Sequence, residues 1–304
     1  DSTFDVHGHI NNIIVDQWQG GAIRAHTMGN LKVNDKTSSY GDGGFFADLD
    51  LAGDGQGKTF RNIDIKGSVK NAAWTIRGDG RKIAIRDEVD HLTLDVLSSV
   101  KAIKFGDTGT ADVVVKGPVT SVTAFAWKHG SLEVDTLRRL AITGHKRMGI
   151  AGDTGINLNV VNSAGSRMPI RSTRITNDIL GGAWRIEGNA GNIRANNVGA
   201  GWVADILGDL RGLTTKGNFN AQLATMNANR INIGGNMTGA TILTGADLSE
   251  DGLVTGVDKF GVGTLNQLRV GGSIHASVIA VSTDSVNGIF GDGDDKVVGG
   301  TEAR

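Results

Sequence analysis

The sequence predicts an all-β chain: a parallel β-helix (β-solenoid), right-handed, of about 12 rungs of 18–20 residues broken by four loop insertions. Three observations predict it. The first is a repeat. Pairs of apolar residues two apart recur as Phe4/Val6, Ile23/Ala25, Ile63/Ile65, Ile83/Ile85, Ile103/Phe105, Val122/Ala124 and Leu140/Ile142. They resume as Thr173/Ile175, Ile193/Ala195, Leu213/Thr215, Ile231/Ile233 and Leu268/Val270. The second is a turn residue four positions after the first member of most pairs, such as Gly67, Gly144, Asn177, Gly217 and Gly272. Glycine, asparagine and aspartate tolerate the positive φ of a sharp bend. The third is composition. There are 46 glycines and 2 prolines, beside plentiful Val, Ile and Leu, which suits many tight turns and short strands rather than a disordered or collagen-like chain.

Each rung is expected to be built in order. The apolar pair makes a half-buried strand, because alternation puts its members on one face. After the bend an apolar residue often follows two positions on, as at Val69, Ile179, Phe219 and Met237. A second alternating strand comes next, as in Trp74/Ile76, Leu94/Val96, Leu132/Val134, Trp184/Ile186 and Ala204/Ile206. One rung buries too little alone, so stacking must make the core. Crossover helices of 10–15 residues have no room; general crossover preference gives the right hand, while rungs of 18 residues also suit a left-handed coil. The whole chain, 1–304, reads as one such domain.

The rungs Ile231-Asn-Ile-Gly-Gly-Asn-Met and Leu268-Arg-Val-Gly-Gly-Ser-Ile resemble the parallel β-helix repeats of large bacterial extracellular and surface proteins. That resemblance implies architecture and an extracellular or cell-surface setting. It implies no activity.

Insertions fall near 35–57, 146–166, 245–263 and 282–304. The last two are related and acidic, with Asp247, Glu250, Asp251 and Asp258 in one and Asp284, Asp292, Asp294 and Asp295 in the other. Gly291-Asp-Gly-Asp-Asp-Lys-Val resembles one unit of the calcium-binding nonapeptide repeat. Oxygen-rich clusters of this kind suit Ca²⁺, so Asp284, Asp292, Asp294 and Asp295 are the candidate metal ligands and Ca²⁺ the one candidate cofactor. The plainer reading is that Asp-Gly pairs are turn chemistry. Tyr40-Gly-Asp-Gly-Gly carries the same signal more weakly.

Two residues before the apolar pairs stand Arg61, Arg81 and Lys101 on consecutive rungs. Stacked at strand spacing they would face an anionic glycan. Against this, Asp79 and Asp209 precede Arg81 and Arg211 by two residues and offer neutralisation. Arg185 and Asp205 read as a solvent-facing cross-rung pair of little energetic weight. Trp74, Trp184 and Trp202 sit at inward positions and read as core. His7 and His9 form an H-x-H, too few ligands for a metal site.

Charge and cysteine set limits. A net charge of −1 gives no overall field for nucleic acid, and the absence of cysteine excludes thiolate chemistry. No apolar run is long enough to span a membrane as a helix. The outward columns hold no acidic cluster, so catalysis is not expected. The function expected is a non-catalytic structural or adhesive module: a filament or surface-layer subunit, or a fragment of a longer surface protein. Its partners would be itself or neighbouring segments end to end, and cell-surface or matrix polysaccharide. The alternative is a β-helix protein that binds or cleaves polysaccharide.

Overall fold

The computed structural model describes residues 2–34, 44–55, 57–248, 258–290 and 293–299. Strand makes up 67% of it, which bears out the all-β class. No helix among the described residues is long and apolar enough to cross a membrane. The chain divides into two compact units, Asp1–Ile156 and Asn157–Arg304.

In the first unit the strands are β1 (Ser2–Val15), β2 (Gly21–Val33), β3 (Asp48–Leu51), β4 (Lys58–Ile65), β5 (Val69–Ile76), β6 (Asp79–Ile85), β7 (Glu88–Val96), β8 (Val100–Lys104), β9 (Asp107–Ala124) and β10 (Ala126–Ile142). All pair in parallel, each residue meeting one about a level further on, as in Ile63↔Ile83↔Ile103↔Val122↔Leu140. A second side runs Ile23↔Leu49↔Trp74↔Leu94↔Val113↔Leu132. A narrower third side includes Trp18↔Phe45 and Val89↔Thr108↔Trp127↔Thr154.

The expected parallel β-helix (β-solenoid) of about 12 stacked rungs is therefore corrected. The parallel strands make a closed, barrel-type wall with a filled interior. The physical reason lies in the long strands. β9 has 18 residues and β10 has 17, and each runs on from one side to the next, so the wall is continuous where separate short strands had been expected. Alternation fills the inside: Trp74, Phe60, Ile63, Leu94 and Trp127 are all at most 1% exposed.

Register brings a second correction. Phe4/Val6 and Ile23/Ala25 pair with each other, and Ile23/Ala25 then pair with Leu49/Leu51. They belong to the side of Trp74. The partners of Ile63/Ile65 are Leu31/Val33, preceded by Ile13/Val15. Two of the expected insertions also contain wall strands, Asp48–Leu51 in 35–57 and Asn157–Val160 in 146–166. The tip of the first insertion, including Tyr40, lies outside the described residues.

The second unit repeats the plan. One side runs Thr173↔Ile193↔Leu213↔Ile231↔Leu268, and another Leu158↔Trp184↔Ala204↔Leu223↔Ile242↔Ile279. Trp184, Trp202 and Phe219 form a buried edge-to-face series with centroids 5.3 and 6.3 Å apart. The two acidic insertions each leave the wall as an antiparallel pair, Ala246–Asp247 with Lys259–Phe260 and Thr283–Asp284 with Lys296–Val297. Phe260 meets Phe290 at 6.0 Å, so the insertions pack together, and Leu248 is buried with Ala224, Leu243 and Ala280 on the outer surface of the wall.

Candidate polyanion-binding face

β4, β6 and β8 are apolar inward and cationic outward. Phe60↔Gly80↔Val100 and Asn62↔Lys82↔Ala102 are paired, so Arg61, Arg81 and Lys101 between them fall in one column on consecutive levels. All three are exposed. Adjacent parallel strands place such side chains about 4.8 Å apart. Two levels further the column reaches Arg138, because Leu137 pairs with Val119 and Arg139 with Ser121. Lys32, Lys104 and Arg139 are exposed on the same side and Lys82 is half-buried there.

Asp79, which the sequence reading set against this column, and Asp64 near it are both engaged elsewhere. Asp79 accepts hydrogen bonds from Ser98 Oγ at 2.5 Å, Ser99 Oγ at 2.6 Å and Ser99 N–H at 3.0 Å. Those bonds, with the charge of Lys58, hold its carboxyl below the usual range. Asp64 is held by Arg86 through two bonds of 3.0 Å, from Nε and Nη2, and that carboxylate raises the Arg86 pKa. Among the described residues Arg61, Arg81 and Lys101 make no ion pair. Beside them a groove of about 460 Å³ is lined by Lys82, Arg86, Lys104, Thr123 and Phe125. Lys82 was missed in the sequence because alternation breaks there within β6: exposed Arg81 and half-buried Lys82 stand together between buried Gly80 and Ile83.

The candidate metal residues are less concentrated. Asp284 lies on the strand pair with Lys296 opposite and accepts from the Val286 N–H at 2.8 Å, an Asx-type turn. Asp294 is exposed and Asp295 half-buried on the return of the same hairpin. Asp292 lies outside the described residues, as do Glu250 and Asp251. Among the described residues no group of three His, Cys, Asp or Glu converges on a metal-sized site. His9 bonds Thr27 Oγ1 and Asn11 Oδ1, while His7 lies 4.0 Å from Asp5, so the two imidazoles take different partners.

Arg185 and Asp205 differ most from their sequence reading. Asp205 is 3% exposed. Its Oδ2 accepts from Arg185 Nη1 at 2.6 Å and its Oδ1 lies 3.4 Å from the Leu248 N–H. Asp247 stands 3.9 Å from the same guanidinium. Burial pushes the Asp205 pKa up to about 6, against the pull of Arg185, with Asp247 and Asp258 adding repulsion. The cover is the insertion beginning at Gly245, some 40 residues further along, which no local pattern around Asp205 announces. Trp74, Trp184 and Trp202 are in the core as expected, and Trp127 joins them.

Comparison with known families, curated proteins and solved structures gave no match. The functional reading rests on this geometry.

Proposed function

We propose that this chain is a non-catalytic structural and adhesive module that works at the cell surface or in the surrounding matrix. There it holds a linear acidic polysaccharide along Arg61, Arg81 and Lys101. The observation that carries this is the column itself: three cations on successive levels, with the nearby carboxylates of Asp79 and Asp64 already engaged. Repeated charge on a rigid wall suits a polymer with repeated opposite charge, because counterion release adds with each contact. The face supports binding better than cleavage, since among the described residues the carboxylates beside the cations, Asp79 and Asp64, are already engaged rather than free to act as acid or base. A polysaccharide is favoured over nucleic acid because the column interleaves no aromatic platform for bases.

Assembly is the second part of the proposal. In the second unit Ile274, Ile279 and Val281 are 52%, 39% and 39% exposed, although they pair with Met237, Ile242 and Thr244, which are at most 2% exposed. Such an apolar strand edge favours a further parallel layer, which end-to-end pairing with a second copy would supply.

The test of the glycan reading is binding of polygalacturonate and of neutral dextran to the wild type and to Arg61→Ser/Arg81→Ser/Lys101→Ser. The expected result is binding of the acidic polymer alone, weakened by about tenfold or more in the variant, with no shortening of the polymer after long incubation. Equal affinity for dextran or for duplex DNA, or release of shorter fragments, would overturn the reading.

A further inference from the structure

The second unit carries a groove of about 670 Å³ whose chemistry differs from that of the cation column. It lies on the outer surface, and its floor is a cross-level chain of polar side chains. Asn189 Oδ1 accepts from the Asp209 N–H at 2.8 Å, Asn227 Nδ2 donates to Asp209 Oδ1 at 2.7 Å, and Thr264 Oγ1 donates to Asn227 Oδ1 at 2.9 Å. A parallel rail is made by Asn266 Nδ2 donating to Asn229 Oδ1 at 3.2 Å. These bonds fix the amides in place and leave the Asn189 and Asn229 NH₂ groups and the Asn266 carbonyl free among the described residues. Arg167 and Arg211 also line the groove, both exposed and neither in an ion pair among the described residues. Asp209, its one carboxylate, is occupied by Asn227.

The combination selects a ligand class. Two free guanidiniums ask for carboxylates, which they bind through paired N–H donors. Fixed amides offer donors and acceptors side by side, the pattern that ring hydroxyls satisfy. Met168 supplies apolar surface beside the polar groups, while Ala190, Leu210 and Ala228 are fully buried beneath them. The volume lies in the usual range for small-ligand sites. Among the described residues no aromatic ring lines the groove, which weighs against a nucleotide base.

We propose that this groove binds a short acidic oligosaccharide, with Arg167 and Arg211 taking carboxylates and the asparagine array taking ring hydroxyls. It lies in a different unit from the cation column and does not depend on it. The column would recognise charge alone, whereas the fixed amides would recognise the stereochemistry of individual sugars.

The experiment is calorimetric titration of the whole chain with trigalacturonate, with its neutral counterpart maltotriose as control. Wild type is expected to bind the uronide and not the neutral sugar. Arg211→Ala and Arg167→Ala should each weaken binding by about tenfold, the loss of one charge-assisted contact. Arg211→Lys, which keeps charge without the fork, should recover part of it. Measured in the Arg61→Ser/Arg81→Ser/Lys101→Ser background, which removes the column's own affinity for uronides, trimer binding should persist and should fall when Arg211→Ala is added, so failure of the column and failure of the groove are separable. Absence of trimer binding, equal binding of maltotriose, or unchanged affinity in both arginine variants would overturn the proposal.

Discussion

Asp205 shows how much one covered position can change. Its carboxyl pKa is pushed up to about 6, because burial disfavours the charge more than Arg185 favours it. Folding therefore favours the neutral form relative to the unfolded chain, and that form predominates below a pH of about 6. The stabilisation that protonation brings is complete below the unfolded value of 3.8 and is lost as pH rises through about 6. The ceiling on that contribution is about 3 kcal/mol. Asp205→Asn keeps the shape without the charge, and Arg185 retains Asp247 at 3.9 Å. Its melting temperature is expected to exceed that of wild type at pH 8, with the gap closing towards pH 4. A gap that does not move with pH would contradict the assignment. The tryptophans offer a finer comparison. Trp74 donates its ring N–H to the Ala47 carbonyl at 3.1 Å, whereas the buried Trp202 N–H has no partner among the described residues. Trp74→Phe should cost about 1 kcal/mol more than Trp202→Phe, measured by denaturant unfolding. The inward placement of Trp74, Trp184 and Trp202 was legible because alternation needs only immediate neighbours. The burial of Asp205 was not, because its cover comes from far along the chain.

At the scale of elements, the wall depends on close parallel approach at particular turns. Gly130 in β10 has φ +103, and a Cβ there would stand 2.1 Å from the carbonyl oxygen of Ala111, its register partner. Gly130→Ala should destabilise by about 2 kcal/mol or more, through strain and displacement together. In the second unit an asparagine ladder ties one bend to the next: Asp178 Oδ1 accepts from Asn197 N–H, Asn197 from Asn218, Asn218 from Asn236, and Asn236 from Ser273. Asn218→Ala leaves the Asn236 N–H without that acceptor, and a loss of about 1 kcal/mol is expected in equilibrium unfolding. Turns, strand alternation and the 20-residue spacing could be read directly. Register at the start of the chain could not, because an apolar pair two apart occurs twice per level and Phe4/Val6 fits either side. The closed wall was likewise hidden, since an unbroken strand and two short ones separated by a bend share one alternating pattern.

At the scale of the whole molecule, a net charge of −1 conceals a strongly uneven surface. Arg61, Arg81 and Lys101 could be aligned from spacing alone. Their freedom could not, because Asp79 is nearer in sequence to Arg81 than to the serines that actually hold it. If the proposed end-to-end pairing through Ile279 and Val281 holds, association should grow with concentration in sedimentation velocity and be abolished by Ile279→Lys/Val281→Lys. A wild type that sediments as a monomer at every concentration would remove that part of the reading. The central claim is that charge on successive levels binds a linear polyanion. It is tested most directly by measuring affinity for polygalacturonate against salt concentration, in wild type and in Arg61→Ser/Arg81→Ser/Lys101→Ser. The logarithm of the association constant should fall linearly with the logarithm of salt, and the variant should lose about two to three from that slope. An unchanged slope, or binding insensitive to salt, would contradict it.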